Sequence, residues 1–206
     1  LLTLLVVVLF AGGLAYIYRI TQHLVLVEIN GIASPYRTHQ RSAEGVLREM
    51  GLELRPEDRV QLPDDENLAD GEPIRITLAR TAVVIHDGYA DTVHLIARSV
   101  SDVLSRALVS IDKNDQVRMD NTRVSLRDSL PALQVPPNPT LKDIRAAVAK
   151  PVRFTVERAT LVNITDGSLT SSIYTTAATV GQALYEQGIW VYEGDRISPG
   201  LNEPVN

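Results

Sequence analysis

The stretch ATVGQALYEQGIWVYEGDRI, residues 178–197, decides the fold, because the chain says nearly the same thing twice before. RSAEGVLREMGLELRPEDRV (41–60) and RSVSDVLSRALVSIDKNDQV (98–117) align with it without gaps. Leu47, Leu104 and Leu184 are followed four residues later by Gly51, Leu108 and Gly188. Eleven residues after each leucine stand Asp58, Asp115 and Asp195, and two further on Val60, Val117 and Ile197. Upstream, ING (29–31), HDG (86–88) and TDG (165–167) occupy matching places. Repetition at a fixed spacing marks one supersecondary unit used several times.

One copy can be read physically. TAVVIHDGYADTVHLIA (81–97) is an apolar run, Asp-Gly and a second mixed run. Asp-Gly is a hairpin signal because a type I′ turn needs φ > 0 at both central residues. Asn30-Gly31 and Asp166-Gly167 are expected to act alike. Ser42, Ser99 and Thr179 then stand where a helix should be capped. Thr179 with Gln182 predicts a capping box, and Ser99 with Asp102 a weaker one. Val100, Val103, Leu104 and Ala107 share one helical face. Gly51 and Gly188 should end their helices in the left-handed region. Leu108 in that place predicts a different ending for copy two.

An alternating pattern comes next. Leu52 and Leu54 match Val109 and Ile111, and Ile189 and Val191, which is the period of a half-buried extended segment. Closing strands are predicted at PIRITLAR (73–80) and PVRFTVER (151–158), aligned on their proline, arginines and threonine. Hairpin, helix, short extended segments and closing strand describe a β-grasp unit within the α+β class. Units of this size are marginally stable alone. Closing strand one runs directly into the first strand of copy two, so the copies are expected to stack as a semi-rigid rod.

Two departures stand out. Copy two carries roughly 21 extra residues between Val117 and Pro151, including PALQVPPNPTLKDIRAAVAK (131–150). Its prolines read as loop, and Thr140 as the cap of a short helix with Leu141, Ile144 and Val148 inward. Asn206 aligns with Ala69, so copy three stops before a closing strand, and the expectation is a fragment of a longer chain.

The N-terminus is of another kind. LLTLLVVVLFAGGLAYIY is 18 residues without a charge, ended by Arg19. A run of this length suits an uncleaved transmembrane anchor. A cleaved signal peptide is the alternative, with Gly13-Leu14-Ala15 as its site. The predicted organisation is therefore an anchor or signal at 1–19, then copies at 24–80, 81–158 (with an insertion at about 131–150) and 159–206. The chain beyond residue 19 is expected outside the cytoplasm.

Bulk numbers narrow the function. The 206 residues are 45% hydrophobic and 22% charged, with net charge −5 and no cysteine. Disorder, a nucleic-acid footprint and any disulfide or thiolate site are argued against. No Gly-x-Ser-x-Gly, P-loop, HExxH or Gly-x-Gly-x-x-Gly is present, so no catalytic residue, metal site or cofactor is assigned. His23, His39, His86 and His94 are read as surface or edge positions, and PDDEN (63–67) as a solvated acidic turn. The candidate site is aromatic. Tyr185, Trp190 and Tyr192 align with Arg48, Glu53 and Arg55 in copy one and with Ser105, Ser110 and Asp112 in copy two. Aromatic side chains at such exposed positions mark a contact surface, for a glycan or for a neighbouring domain.

TVG-x-x-L-x-x-x-GI (179–189), the Asp of GDRISP (194–199) and the upstream ITDG (164–167) resemble the ubiquitin-like repeat of resuscitation-promoting factors and YabE-like cell-wall proteins. The resemblance covers residues 24–206 and is weaker in copy two. It implies a membrane-anchored protein at the cell wall whose repeats serve as spacers or peptidoglycan contacts. It also implies a C-terminal part absent from this sequence: an adhesion-type domain, then a wall-lytic domain of lysozyme-like or triple-aspartate type. On that basis the segment is a stalk presenting a further domain. The alternatives are the non-catalytic part of a peptidoglycan hydrolase, a cell-wall glycosidase when whole, and a protein-binding adhesion module.

Overall fold

The computed structural model describes residues 2–62, 68 and 73–205, and the side chains of residues 2–5 and 8 lie outside that set. The acidic turn at 63–67 also falls outside the described residues. A helix, α1 (Leu2–Ile20), opens the chain. Among the described residues no helix is long and apolar enough to cross a membrane.

Copy one folds as β1 (His23–Ile29), β2 (Ile32–Thr38), α2 (Ala43–Glu49), β3 (Arg59–Gln61) and β4 (Ile74–Thr77). The sheet order is β2-β1-β4-β3, with β1 and β4 parallel at the centre. Copy two repeats the plan with β5 (Arg80–His86), β6 (Tyr89–Leu95), α3 (Val100–Arg106), β7 (Gln116–Met119), β8 (Thr122–Val124), α4 (Leu141–Ala149) and β9 (Val152–Glu157). Its sheet runs β6-β5-β9-β7-β8, again with a parallel central pair. Copy three supplies the hairpin β10 (Thr160–Asp166) and β11 (Leu169–Thr175), then α5 (Val180–Glu186). This is the mixed α+β, ubiquitin-like arrangement that the repeat predicts.

The closing strands align two residues away from the match made on sequence. Val27 pairs with Ile74 in copy one, and its equivalent Val84 pairs with Phe154. Val60 faces Ile76, and its equivalent Val117 faces Val156. Ile74 therefore corresponds to Phe154, not to Val152. A slip of two keeps every side chain on its own face of the sheet, so the apolar pattern cannot detect it. Phe154 lies 37 positions after Val117 and Ile74 lies 14 after Val60, which makes the insertion 23 residues long.

Helices α2 to α5 are capped as their residues predict, with one exchange. Ser99 and Asp102 close a full capping box, and the Asp102 carboxylate also accepts from the Arg98 N–H. In copy three Thr179 accepts from the Gln182 N–H, but the longer Gln182 side chain reaches past the cap to the Ala178 N–H. Copy two also ends its helix like the others, contrary to expectation. Leu108 has φ 60°, beside Gly51 at 60° and Gly188 at 72°. The reversal bonds match: Leu108 N–H to Ser105 C=O and Val109 N–H to Leu104 C=O, as Gly51 to Arg48 and Leu52 to Leu47. These bonds satisfy helix-end carbonyls and hold a leucine where a glycine is ordinarily needed.

The hairpin turns differ in one copy. Asn30-Gly31 and Asp87-Gly88 both have positive φ at both residues, as a type I′ turn requires. In copy three Asp166 pairs with Leu169, so Gly167-Ser168 makes the turn instead of Asp166-Gly167. Gly167 alone has positive φ there, the pattern of a type II′ turn, where glycine takes the first central place.

The compact units do not follow the repeat boundaries. Unit 1 comprises Leu1–Arg80, His94–Ile96 and Ala132–Lys150; unit 2 comprises Thr81–Val93, Ala97–Pro131 and Pro151–Asn206. The core of unit 1 joins Val25, Val27, Ile29, Val46, Ile74 and Ile76 to Ile144 and Val148 of α4. Leu133, Val135 and Leu141 pack against the same cluster. Thr140 and Asp143 form a capping box that starts α4, and Arg145 donates to the Gly51 carbonyl at the end of α2. The insertion of copy two thus completes the core of copy one. Burying Ile144 and Val148 contributes on the order of 1.5–3 kcal/mol each.

Unit 2 buries Ala82, Val84, Val100, Val103, Leu104, Val117 and Phe154 around copy two, and Ala177, Ala183 and Leu184 around copy three. In both, a loop covers the helix start. Val100 and Ser101 N–H groups donate to Asp128 and Leu126 carbonyls, and Val180 and Gly181 do the same to Glu203 and Leu201. Those donors have no partner within their own helix, so the loop removes an unpaired-group cost. A Cβ on Gly181 would sit 3.0 Å from the Leu201 carbonyl oxygen, which is why glycine stands there.

Candidate functional site

The aspartate common to the three copies has a structural task. Asp58 accepts from the Arg55 and Ala79 N–H groups, Asp115 from Asp112 and Ala159, and Asp195 from Tyr192. It fixes the turn after the extended segment and, in copies one and two, ties that turn to the end of the closing strand.

In copy three this turn presents the aromatic residues. The α5 reversal at Gly188, with Gly188 N–H on the Tyr185 carbonyl and Ile189 N–H on Leu184, folds the chain back along the helix. Trp190 therefore returns to Tyr185, with ring centroids 5.6 Å apart at 89°, an edge-to-face pair. Tyr192 comes two residues later, its N–H held by Asp195. Tyr185, Trp190 and Tyr192 are 66%, 65% and 72% exposed. The structure thus brings Tyr185 and Trp190 together and leaves all three open to contact. Their chemistry is a flat apolar surface with two phenolic hydroxyls and an indole N–H at its rim, suited to stacking and unsuited to bond chemistry.

A second cluster is not apparent from the sequence. Arg158 grips Asp87 with two hydrogen bonds, Nε to Oδ1 at 2.9 Å and Nη2 to Oδ2 at 2.7 Å. Its Nη1 donates to the Asp115 carboxylate at 2.8 Å and to the Ser110 carbonyl at 2.7 Å. Arg158 holds the Asp87 carboxyl well below its ordinary range, with His86 adding to the effect. Burial pushes the Asp115 carboxyl up, but the Ala159 N–H, the Arg158 guanidinium and the Asp112 N–H outweigh it and leave it lowered. Copy one does the same mechanical job without charge. Asn30 accepts from the Leu78 N–H at 2.8 Å and donates to the Leu78 carbonyl at 2.9 Å. The strand registers make Leu78 the counterpart of Arg158, so the Asn-to-Asp and Leu-to-Arg changes go together. The signal is in the sequence, hidden by the two-residue slip.

Of the other histidines, His39 meets Thr21 and the Tyr18 ring, and His94 meets Arg55. No group of three His, Asp or Glu among the described residues is arranged to hold a metal.

The fold defines a class: a tandem β-grasp protein whose exposed aromatic surface sits on its third copy. Residues 25–63 and 162–202 match the G5-linked ubiquitin-like domain family. Those stretches fall in copies one and three, which share a further device. A buried threonine ending the second hairpin strand binds a glutamate ending the helix, Thr38 to Glu49 and Thr175 to Glu186. The corresponding residues in copy two are Leu95 and Arg106. The chain is 24% identical over 196 residues to YabE of Bacillus subtilis, a protein named for cell wall shaping, covering 94% of this chain and 42% of that one. It is 24% identical over 185 residues to a resuscitation-promoting factor of Corynebacterium glutamicum, covering 90% of this chain and 43% of that one. Two stretches of the chain thus match this ubiquitin-like domain family, and the chain, similar over most of its length to YabE and to a resuscitation-promoting factor, spans about two fifths of the length of these relatives.

Proposed function

We propose that this chain is the membrane-anchored, extracytoplasmic stalk of a cell-wall-associated protein, with α1 as its anchor and the β-grasp copies as spacers presenting a further domain. The observation that carries the reading is the joining of an apolar helix, whose one charge is Arg19 in its last turn, to tandem β-grasp copies. The run of 18 uncharged residues before Arg19 has about the length that spans a hydrocarbon core, although the helix as described is not by itself long and apolar enough to cross one. Its described large apolar side chains are exposed, among them Leu9, Phe10, Tyr16 and Ile17. The name of the Bacillus subtilis relative supplies the wall. The role is positional, with no bond chemistry in this segment; a peptidoglycan hydrolase or an adhesion protein would use the same stalk. The test is fractionation from a wall-bearing bacterium. The chain should stay in the membrane pellet through a carbonate wash, and removal of residues 1–21 should release it. Release of the intact chain would overturn the anchor.

A second reading rests on Tyr185, Trp190 and Tyr192, whose exposure favours direct contact with a glycan over pure spacing. On this reading the chain sediments with insoluble peptidoglycan and Trp190→Ala abolishes sedimentation. Equal behaviour of the two forms would leave the aromatic surface to packing against a neighbouring domain.

A further inference from the structure

His86 ends β5, one residue before the turn. Its Nδ1 lies 3.2 Å from Asp87 Oδ2 and its Nε2 lies 2.8 Å from Asp91 Oδ2 on β6. A neutral imidazole has one N–H and one lone pair. It can donate to only one of these carboxylates, and its lone pair then faces the other. The doubly protonated ring donates to both. The side chain is 16% exposed, so water has limited room to relieve the mismatch.

We propose that His86, Asp87 and Asp91 form a proton-operated clasp on the β5–β6 turn of unit 2, closed on both sides when the imidazole is protonated and on one side when it is neutral. The groups facing His86 are Asp87 in the turn, Asp91 and Tyr89 on β6, the Tyr89 ring at 6.3 Å, and Arg158 after β9, which reaches it through Asp87. Asp115 stands behind Arg158. The Arg158 grip on Asp87 neutralises one jaw and titrates far from neutrality, so the Asp91 jaw carries the response. Hydrogen bonding to Asp91, then to Asp87, raises the imidazole above its ordinary value, with burial opposing. A raised folded value means the contribution is complete below about pH 6.5 and is lost as pH rises through the folded value. The device is local: it alters how readily the turn opens and leaves the Arg158 arm in place. It stands independently of the stalk reading.

The test is an NMR titration of His86 in the full chain in micelles, with amide exchange at Gly88 and Tyr89. His86 is expected to titrate above about 6.5, and Asp91→Asn to bring the midpoint down. Turn exchange, corrected for its intrinsic pH dependence, should rise several-fold from pH 5.5 to 8.5 and be flat in His86→Gln. Asp91 is half exposed, so its replacement leaves the fold intact. A His86 midpoint at or below 6.5, or one unmoved by Asp91→Asn, overturns the clasp.

Discussion

Replacing Ile144 by alanine tests the most unexpected feature of the fold, that the insertion of copy two stabilises copy one. Ile144 is fully buried among Val25, Val27, Ile74 and Ile76, and belongs to unit 1. Truncating such a side chain costs about 2–5 kcal/mol, the lost transfer energy plus a cavity. With all of that energy carried by unit 1, amides that exchange only when the unit opens should lose protection by about thirty-fold to several thousand-fold. The assay is native-state hydrogen exchange on the full chain in micelles, read at Val27, Ile29 and Ile76. Val84, Phe154 and Val156 in unit 2 serve as the internal reference. The expected result is a loss confined to the first set. Loss at Phe154 and Val156 with none at Val27 would place α4 in the wrong core and refute the reasoning.

Two other positions give sharp expectations. Leu108 is 92% exposed at φ 60°, and left-handed backbone costs a non-glycine residue about 1–2 kcal/mol, of which glycine's added chain entropy returns roughly half. Leu108→Gly should therefore stabilise unit 2 by about 0.5–1 kcal/mol, seen as a melting temperature a few degrees higher; a lower one would contradict the strain. Asp115 has a side chain 3% exposed and a carboxyl lowered in the folded state. Its contribution is present above the ordinary aspartate value of about 3.9 and is lost as pH falls below it. Asp115→Ala should cost about 1–3 kcal/mol at pH 7 and much less at pH 2.5, measured by urea unfolding, and a cost independent of pH would rule out the carboxylate as its source.

Most of the fold is legible in the sequence because its signals are local. Caps at Ser42, Ser99, Thr140 and Thr179, and the type I′ pairs Asn30-Gly31 and Asp87-Gly88, act within a few residues of themselves. The features that sequence misses are set by partners far along the chain. The closing strands can slip by two because both registers bury the same face. Leu108 takes a glycine's conformation because the bonds around it are those of its sister copies. Ile144 can be read as inward-facing, but the core it enters is built by residues as far as a hundred positions away and more. Tyr185, Trp190 and Tyr192 are visible as an exception to the repeat, and the edge-to-face pairing of the first two depends on the reversal at Gly188. Arg158 is not visible as a partner of Asp87, since the strand register brings it there from far along the chain.

The absence of cysteine makes the central claim directly measurable, because any introduced thiol is unique. Ser171 is exposed on β11, and Ser171→Cys would report which side of the membrane the copies occupy. The account predicts that a membrane-impermeant maleimide labels this thiol in intact cells, once the wall is permeable to it, as fully as after lysis. Labelling only after lysis would place the copies inside the cytoplasm and contradict the stalk.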